Sequence, residues 1–536
     1  MNMQDGSGLG MDIREIESII DVEHKNHPLF QAGKEQTVYD LLTSFEDICG
    51  LILIGGTLNP TVLRKITDQM DALNTALLWT NQLCSANPEP IKTDLTELRY
   101  AQCCDLLNNY AYPYSVICSG YISYSRHRFS AEIDGNVIIF NPCKDQNESM
   151  WSDIIRANSE VNLAGLESGF ESYKFLDALN EFRRRVTIDN GYICYSLSER
   201  IISAFKEIAL QQWNITKTLP ENWTFDTFSL NEYKDFWVTL AALCYIHFCS
   251  CLTISNPAIR LRNCTIIQSE DELINYIEAN SRLTAKKVQT IIRYITYDAT
   301  KRNADIMYQP IVKLTEGILI IAPLLFMGSR PERNLISVVS TKHDDAYSRE
   351  VNELEEQMVT ELEAYVSSPY TAKRKHLRAD LPDIDFAVFD PATNSSLICE
   401  MKWFAAADST KEVLAKEDEI THGCEQAESI LTYAMSDRQR FIKQVFNVDI
   451  TDAVDLFCCV VAKHNIRTQH KYVPVIDLKR MEELLESYSL NTVFHMVRNH
   501  EYEIPFPKGA TIAHQTIRYA GFEFRVPAIC FDSLQI

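Results

Sequence analysis

Clustered positive charge is what this sequence has least of. Lys and Arg number 51 against 73 Asp and Glu, for a formal net charge of −22. That excludes a protein that coats nucleic acid along its whole surface, because phosphate binding is driven by clustered Lys and Arg. It leaves room for a local channel. No long low-complexity tract and no internal repeat is present, and hydrophobic residues make up 46% and aromatics 10% of the chain. These values exclude a disordered or fibrous protein. The sixteen cysteines include no CxxC pair and no Cys/His cluster, and Cys249 and Cys251 merely alternate in an apolar run. A zinc site is therefore not expected. Cysteines in apolar contexts such as Cys244, Cys458 and Cys459, together with an N-terminus that does not read as a secretory leader, predict reduced core thiols and a cytoplasmic protein.

Two further absences narrow the field. Residues 51–60, LILIGGTLNP, look like a strand entering a phosphate loop but lack the lysine and following hydroxyl of one, so Gly55-Gly56 reads as a simple turn before a helix. The apolar run from Phe236 to Ile254 is long enough to span a bilayer, yet it holds His247 and small polar residues and lacks basic flanks. It reads as a buried helix, and Ile318 to Met327 is too short to span. No membrane partner is expected.

At 536 residues the chain is too long for one core and should hold two to four domains. Residues 1–305 read as a mostly helical α+β region, with a hairpin near 127–141 whose Asp134-Gly135 would supply positive φ angles. Helical patterns cover Thr37–Phe45, Thr61–Trp79, Thr96–Tyr110, Tyr173–Arg185, Ser198–Trp213 and Ala285–Ala299. No chemical motif falls there, which leaves a protein partner, a homo-oligomer contact or substrate recognition as its role. A change of pattern near 305 marks a second domain over 306–500, and 501–536 reads as a hairpin tail turning at Ala520-Gly521. Arg183 to Arg185 read as a solvated face.

Chemistry concentrates between Glu350 and Trp403. Side chains alternate across a strand, so in LPDIDFAVFD the residues Asp383, Asp385, Ala387 and Phe389 point one way, and Ile384, Phe386 and Val388 the other. In SLICEMKW, Ile398, Glu400 and Lys402 share a face. Hard oxygen ligands from Asp385 and Glu400, with the Met401 carbonyl available between Glu400 and Lys402, suit Mg²⁺ at a site for phosphodiester hydrolysis, and Lys402 is placed to orient or deprotonate water. Upstream, Val351, Leu354, Met358, Val359, Leu362, Tyr365 and Val366 form a helical stripe that includes Glu355, whereas Glu353, Glu356 and Glu363 fall outside it. A carboxylate on a buried face is costly unless paired or metal-bound. Between helix and strand lie Lys373, Arg374, Lys375, His376 and Arg378, a basic loop suited to phosphates. Downstream, Ile420, Gly423, Cys424, Ala427 and Leu431 face one way with Gln426 at their border, and a strand over 455–462 completes the order helix, strand, strand, helix, strand.

Pro382-Asp383, Asp385, fourteen intervening residues and Glu400-Met401-Lys402 resemble the PD-(D/E)xK superfamily of restriction-endonuclease-like nucleases, over roughly residues 345–465. The resemblance implies an α/β core with a mixed sheet flanked by helices. It also implies Asp385 and Glu400 as metal ligands, Lys402 as the catalytic lysine, and an extra helix glutamate at Glu355, with Glu356 second. Mg²⁺ is the implied cofactor, Mn²⁺ its substitute, and DNA the implied substrate, in restriction, repair or phage defence. The stretch around Gln426 is similar to the glutamine-bearing helix of some recombination-type branches but has Ile430 where they carry a tyrosine. Two rival readings stay open: a non-catalytic protein using the fold as a platform, and a nuclease acting on RNA.

Overall fold

A computed structural model describes residues 12–55, 60–86, 90–143, 173–217, 219–225, 227–301, 304–314, 317–342, 344–366, 370–407, 410–464, 472–502 and 510–531. The architecture is mixed α/β, rich in helix and carrying several sheets.

The largest sheet has five strands in the order Tyr370–Lys375, Ile384–Asp390, Ser395–Lys402, Asp455–Ala462, Val475–Asp477. The first three run antiparallel and the last two join in parallel. Parallel neighbours need a long crossover, and the helices Thr410–Ser436 and Arg438–Phe446 supply it between the third and fourth strands. The central strands read as near-continuous apolar runs because both of their faces are covered. On one face Phe386, Val388, Leu397, Cys399, Met401, Cys459 and Val461 meet Leu354, Met358, Val359 and Leu362 of the helix Asp344–Tyr365. On the other, Ala387, Phe389, Ile398, Cys458 and Val460 meet Ile420, Cys424, Ala427 and Ile430 of Thr410–Ser436. That second face carries Asp385, Glu400 and Lys402 by strand parity.

The first of these apolar clusters continues without a break into the N-terminal region, taking in Phe45, Trp213, Trp237 and Phe326. The helix Leu230–Leu252 runs through it with Phe236, Trp237, Leu240 and Cys244 fully buried. It is long and apolar enough to cross a membrane, and most of it lies inside the protein. The C-terminal hairpin, Ala510–Tyr519 and Phe522–Phe531, turns at Ala520 and Gly521, both at positive φ. Its second strand pairs in parallel with Val137–Ile139 of the hairpin Phe129–Asp134 and Val137–Pro142. The two hairpins thus share one four-stranded sheet, although they lie far apart in sequence. An ion pair from Arg128 to Glu417 ties that sheet to the crossover helix.

Several local expectations are corrected. Leu51–Gly55, strand-like in sequence, ends the helix Lys34–Gly55, because its apolar residues follow twelve buried positions already committed to helix. The first hairpin turns on Gly135 and Asn136, with Gly135 alone at positive φ of 61°, so Asp134 stays in the strand. Ile384 packs with the second apolar cluster instead of following Phe386 and Val388. Most consequential, Lys373, Arg374 and Lys375 lie in an edge strand paired with the Asp385 strand, so that half of the expected basic loop is sheet.

Candidate active site

The two central strands part where the carboxylates begin. Their pairing runs from Asp390–Ser395 to Phe386–Cys399 and stops there. Beyond it, the Met401 N–H donates to Asp385 Oδ2 at 2.9 Å, in place of the backbone carbonyl a continued ladder would offer. The splayed strand ends hold Asp385, Glu400, Met401 and Lys402 at one mouth of the sheet.

Lys402 Nζ donates to Glu400 Oε1 at 2.7 Å and to Gln426 Oε1 at 3.0 Å. Gln426 is therefore brought to the lysine by the crossover helix. Lys402 fits beside that helix because position 423 is glycine; a Cβ there would come within 2.8 Å of Lys402 Cε and 3.5 Å of Glu400 Cγ. Gly423 lies on the expected helix face, with Ile420, Cys424 and Ala427, and the space it leaves for Lys402 is a role that its apolar spacing alone does not disclose. Helical spacing of a glycine opposite the lysine was the signal available.

From the other side, Glu355 accepts from the Trp403 N–H at 3.3 Å through Oε1. Its side chain is 13% exposed against 62% for Glu356, so the helix turns Glu355 toward the strands. Arg374 closes the cluster. It donates to Asp385 Oδ1 at 2.6 Å, and its guanidinium lies 3.4 Å from Glu355 and 3.3 Å from Glu356. Sequence reasoning placed Arg374 among phosphate-binding residues; the structure turns it into the carboxylates.

The electrostatics are those of too many acids in a small volume. Burial, then the neighbouring Asp385 charge, pushes the Glu400 carboxyl up to about 7, against the pull of Lys402. Burial also raises Asp385, against the Met401 N–H and Arg374, and raises Glu355, with Asp385 adding to it. For Lys402, burial favours the neutral amine, but Glu400, Glu355 and Asp385 outweigh it and hold the ammonium above its ordinary value. Glu400 Oε2 is buried and accepts no hydrogen bond among the described residues.

These features fit a divalent cation. Among the described residues, Glu355, Glu356, Asp385 and Glu400 form ion pairs with Arg374 and Lys402, which leaves this group a net charge of minus two if all are ionised. An unpartnered buried carboxylate oxygen is costly, and hard oxygen donors of this kind suit Mg²⁺ or Mn²⁺. As the side chains stand, they point at Arg374, Lys402 and two backbone amides, and no three His, Cys, Asp or Glu groups among the described residues converge on one metal-sized space.

The expected nucleic-acid residues are largely paired within the protein. Lys373 is bonded to Glu363, His376 to Asp383 at 2.7 Å, and Arg378 to Asp380 while lying 5.3 Å from the Tyr433 ring centre. Lys375 is half-buried at the edge strand, opposite Ile384.

Comparison of the chain with family models, with curated proteins and with solved structures finds no match. The functional reading rests on the site itself.

Proposed function

We propose that this chain is a divalent-metal-dependent nuclease of the PD-(D/E)xK kind, hydrolysing phosphodiester bonds in DNA in restriction, repair or phage defence. The observation that carries the reading is the buried, unpartnered Glu400 Oε2 beside Lys402 and Asp385, an acidic site short of one cation. The sheet order supports it: an antiparallel triplet, a helical crossover and a parallel strand, with a helix ahead of them. This order supports the restriction-endonuclease-like core that the motif resemblance implies.

Asp385, Glu400, Glu355 and the Met401 carbonyl would hold the ion. Bound there, Mg²⁺ supplies Lewis-acid polarisation of a phosphoryl oxygen and a lowered pKa for water. Lys402, kept protonated by three carboxylates, orients water and offsets negative charge on the phosphate instead of accepting a proton. Glu400 and Gln426 fix the ammonium between them, and Gly423 leaves it room. Trp403 N–H fixes Glu355, and Met401 N–H fixes Asp385.

One observation favours the rival reading of a non-catalytic platform. Lys373, Arg374 and Arg378, offered by sequence as the phosphate track, are engaged with acids of the same chain. Incubation of the purified full chain with plasmid, linear duplex DNA and single-stranded RNA, in Mg²⁺, Mn²⁺ or chelator, separates the readings. Metal-dependent DNA cleavage lost in Lys402→Ala supports the nuclease. No cleavage of any substrate supports the platform, and cleavage of RNA alone moves the substrate class.

A further inference from the structure

Arg374 stands out among the site's residues by its backbone. It sits at φ 45° in the middle of a strand, at the position that the Lys373–Phe386 and Lys375–Ile384 pairs place opposite Asp385. A non-glycine residue in the left-handed region is strained and persists only where its surroundings over-determine it. What surrounds it is a set of three carboxylates from two elements: Asp385 across the sheet, and Glu355 and Glu356 from the helix Asp344–Tyr365. One planar cation thus gathers acids that come from both walls of the site. Lys402, the other cation, is bonded to Glu400 and Gln426 and is 21% exposed, whereas Arg374 is 35% exposed and lies at the rim. Of the two, Arg374 is the more exposed.

Resting on the nuclease reading, we propose that Arg374 is a built-in competitor for the metal: its guanidinium occupies the Asp385–Glu355 carboxylates, and a divalent cation enters only as Arg374 swings out. The position serves as a plug that offsets part of the acid cluster's charge when no ion is bound. The strained backbone lowers the barrier to leaving, because release of the side chain allows the strand to relax toward ordinary extended angles. Apparent affinity for a ligand falls by the fraction of molecules in the competent arrangement, so removing a plug that holds nine-tenths of the molecules tightens binding about tenfold.

The test is a calorimetric titration of Mn²⁺ into the metal-free full chain, comparing wild type with Arg374→Ala and Arg374→Gly. Glycine accepts the positive φ without strain, so it guards against a folding failure of the alanine variant. The proposal expects both variants to bind Mn²⁺ roughly tenfold more tightly than wild type, with binding abolished on adding Asp385→Asn. Unchanged or weaker binding in both variants, still dependent on Asp385, overturns the plug and leaves the metal site standing. Absence of Asp385-dependent Mn²⁺ binding in wild type and variants alike overturns the plug and the metal reading together.

Discussion

Gly423 and Lys402 occupy the same space in turn: where the helix has no side chain, the lysine lies, with its Cε 2.8 Å from the point a Cβ would take. The lysine is the flexible partner, so a methyl group at 423 would push Lys402 away from Glu400 and Gln426 at little cost to packing. Gly423→Ala is expected to lower cleavage by about tenfold or more while leaving the melting temperature within a few degrees, since a displaced positioning group costs on the order of 1–2 kcal/mol in the transition state. Gain of helix propensity works in the opposite direction, towards higher stability. A variant that cleaves like wild type would remove Lys402 from the chemistry.

The two adjacent helix glutamates give a second, ranked prediction. Glu355 is turned in and bonded to the Trp403 N–H, while Glu356 is mostly exposed and pairs with the Arg374 side chain. Glu355→Gln should reduce metal-dependent cleavage strongly, and Glu356→Gln by no more than roughly threefold, as expected for a surface ion pair. Parallel assays at saturating and limiting Mn²⁺ check the ranking. Equal losses in both would mean that both carboxylates act on the ion.

The edge strand yields a third. With Lys373 paired to Glu363 and Lys375 half-buried, a contribution to DNA binding requires that each exchange its present neighbours for phosphate. If both do so, Lys373→Ala with Lys375→Ala lowers the slope of log affinity against log salt by roughly 2. Filter binding of a short duplex in Ca²⁺ over a range of salt measures it. An unaltered slope assigns the pair to the sheet edge alone.

How far the sequence carried this reading depended on the kind of signal. Strand alternation put Glu400 and Lys402 on one face, and helical phase chose Glu355 over Glu356, because both periods are properties of the backbone and survive any packing. The strand Asp455–Ala462 and the turn at Ala520-Gly521 were legible for the same reason. What failed to show was whatever depends on partners distant in sequence. The pairing of the C-terminal hairpin with Val137–Ile139, the turning of Arg374 into the acids, and the room that Gly423 leaves for Lys402 are all settled by tertiary contact. Charge pattern alone assigned Arg374 to solvent and phosphate, since a basic cluster does not disclose which acids face it.

The last prediction follows from Glu400. Its carboxyl is pushed up to about 7 by burial and by Asp385, well above the ordinary carboxylate range. In that window Glu400 holds a proton in the folded protein that the unfolded chain has released, so its contribution to stability falls as pH rises from about 5 to about 7 and levels off above it. Glu400→Gln removes the titrating group while keeping its shape and an acceptor for Lys402. The metal-free variant should therefore show a flatter stability profile across that window and, at pH 8, a melting temperature higher by about 1 °C for each 1 kcal/mol of repulsion relieved. Differential scanning calorimetry in chelator from pH 5 to pH 8 measures both. A wild-type profile that rises with pH across the window would show that the Lys402 pairing outweighs burial and that Glu400 is ionised throughout. The cluster would then lack the surplus of carboxylate free energy that a divalent cation would relieve.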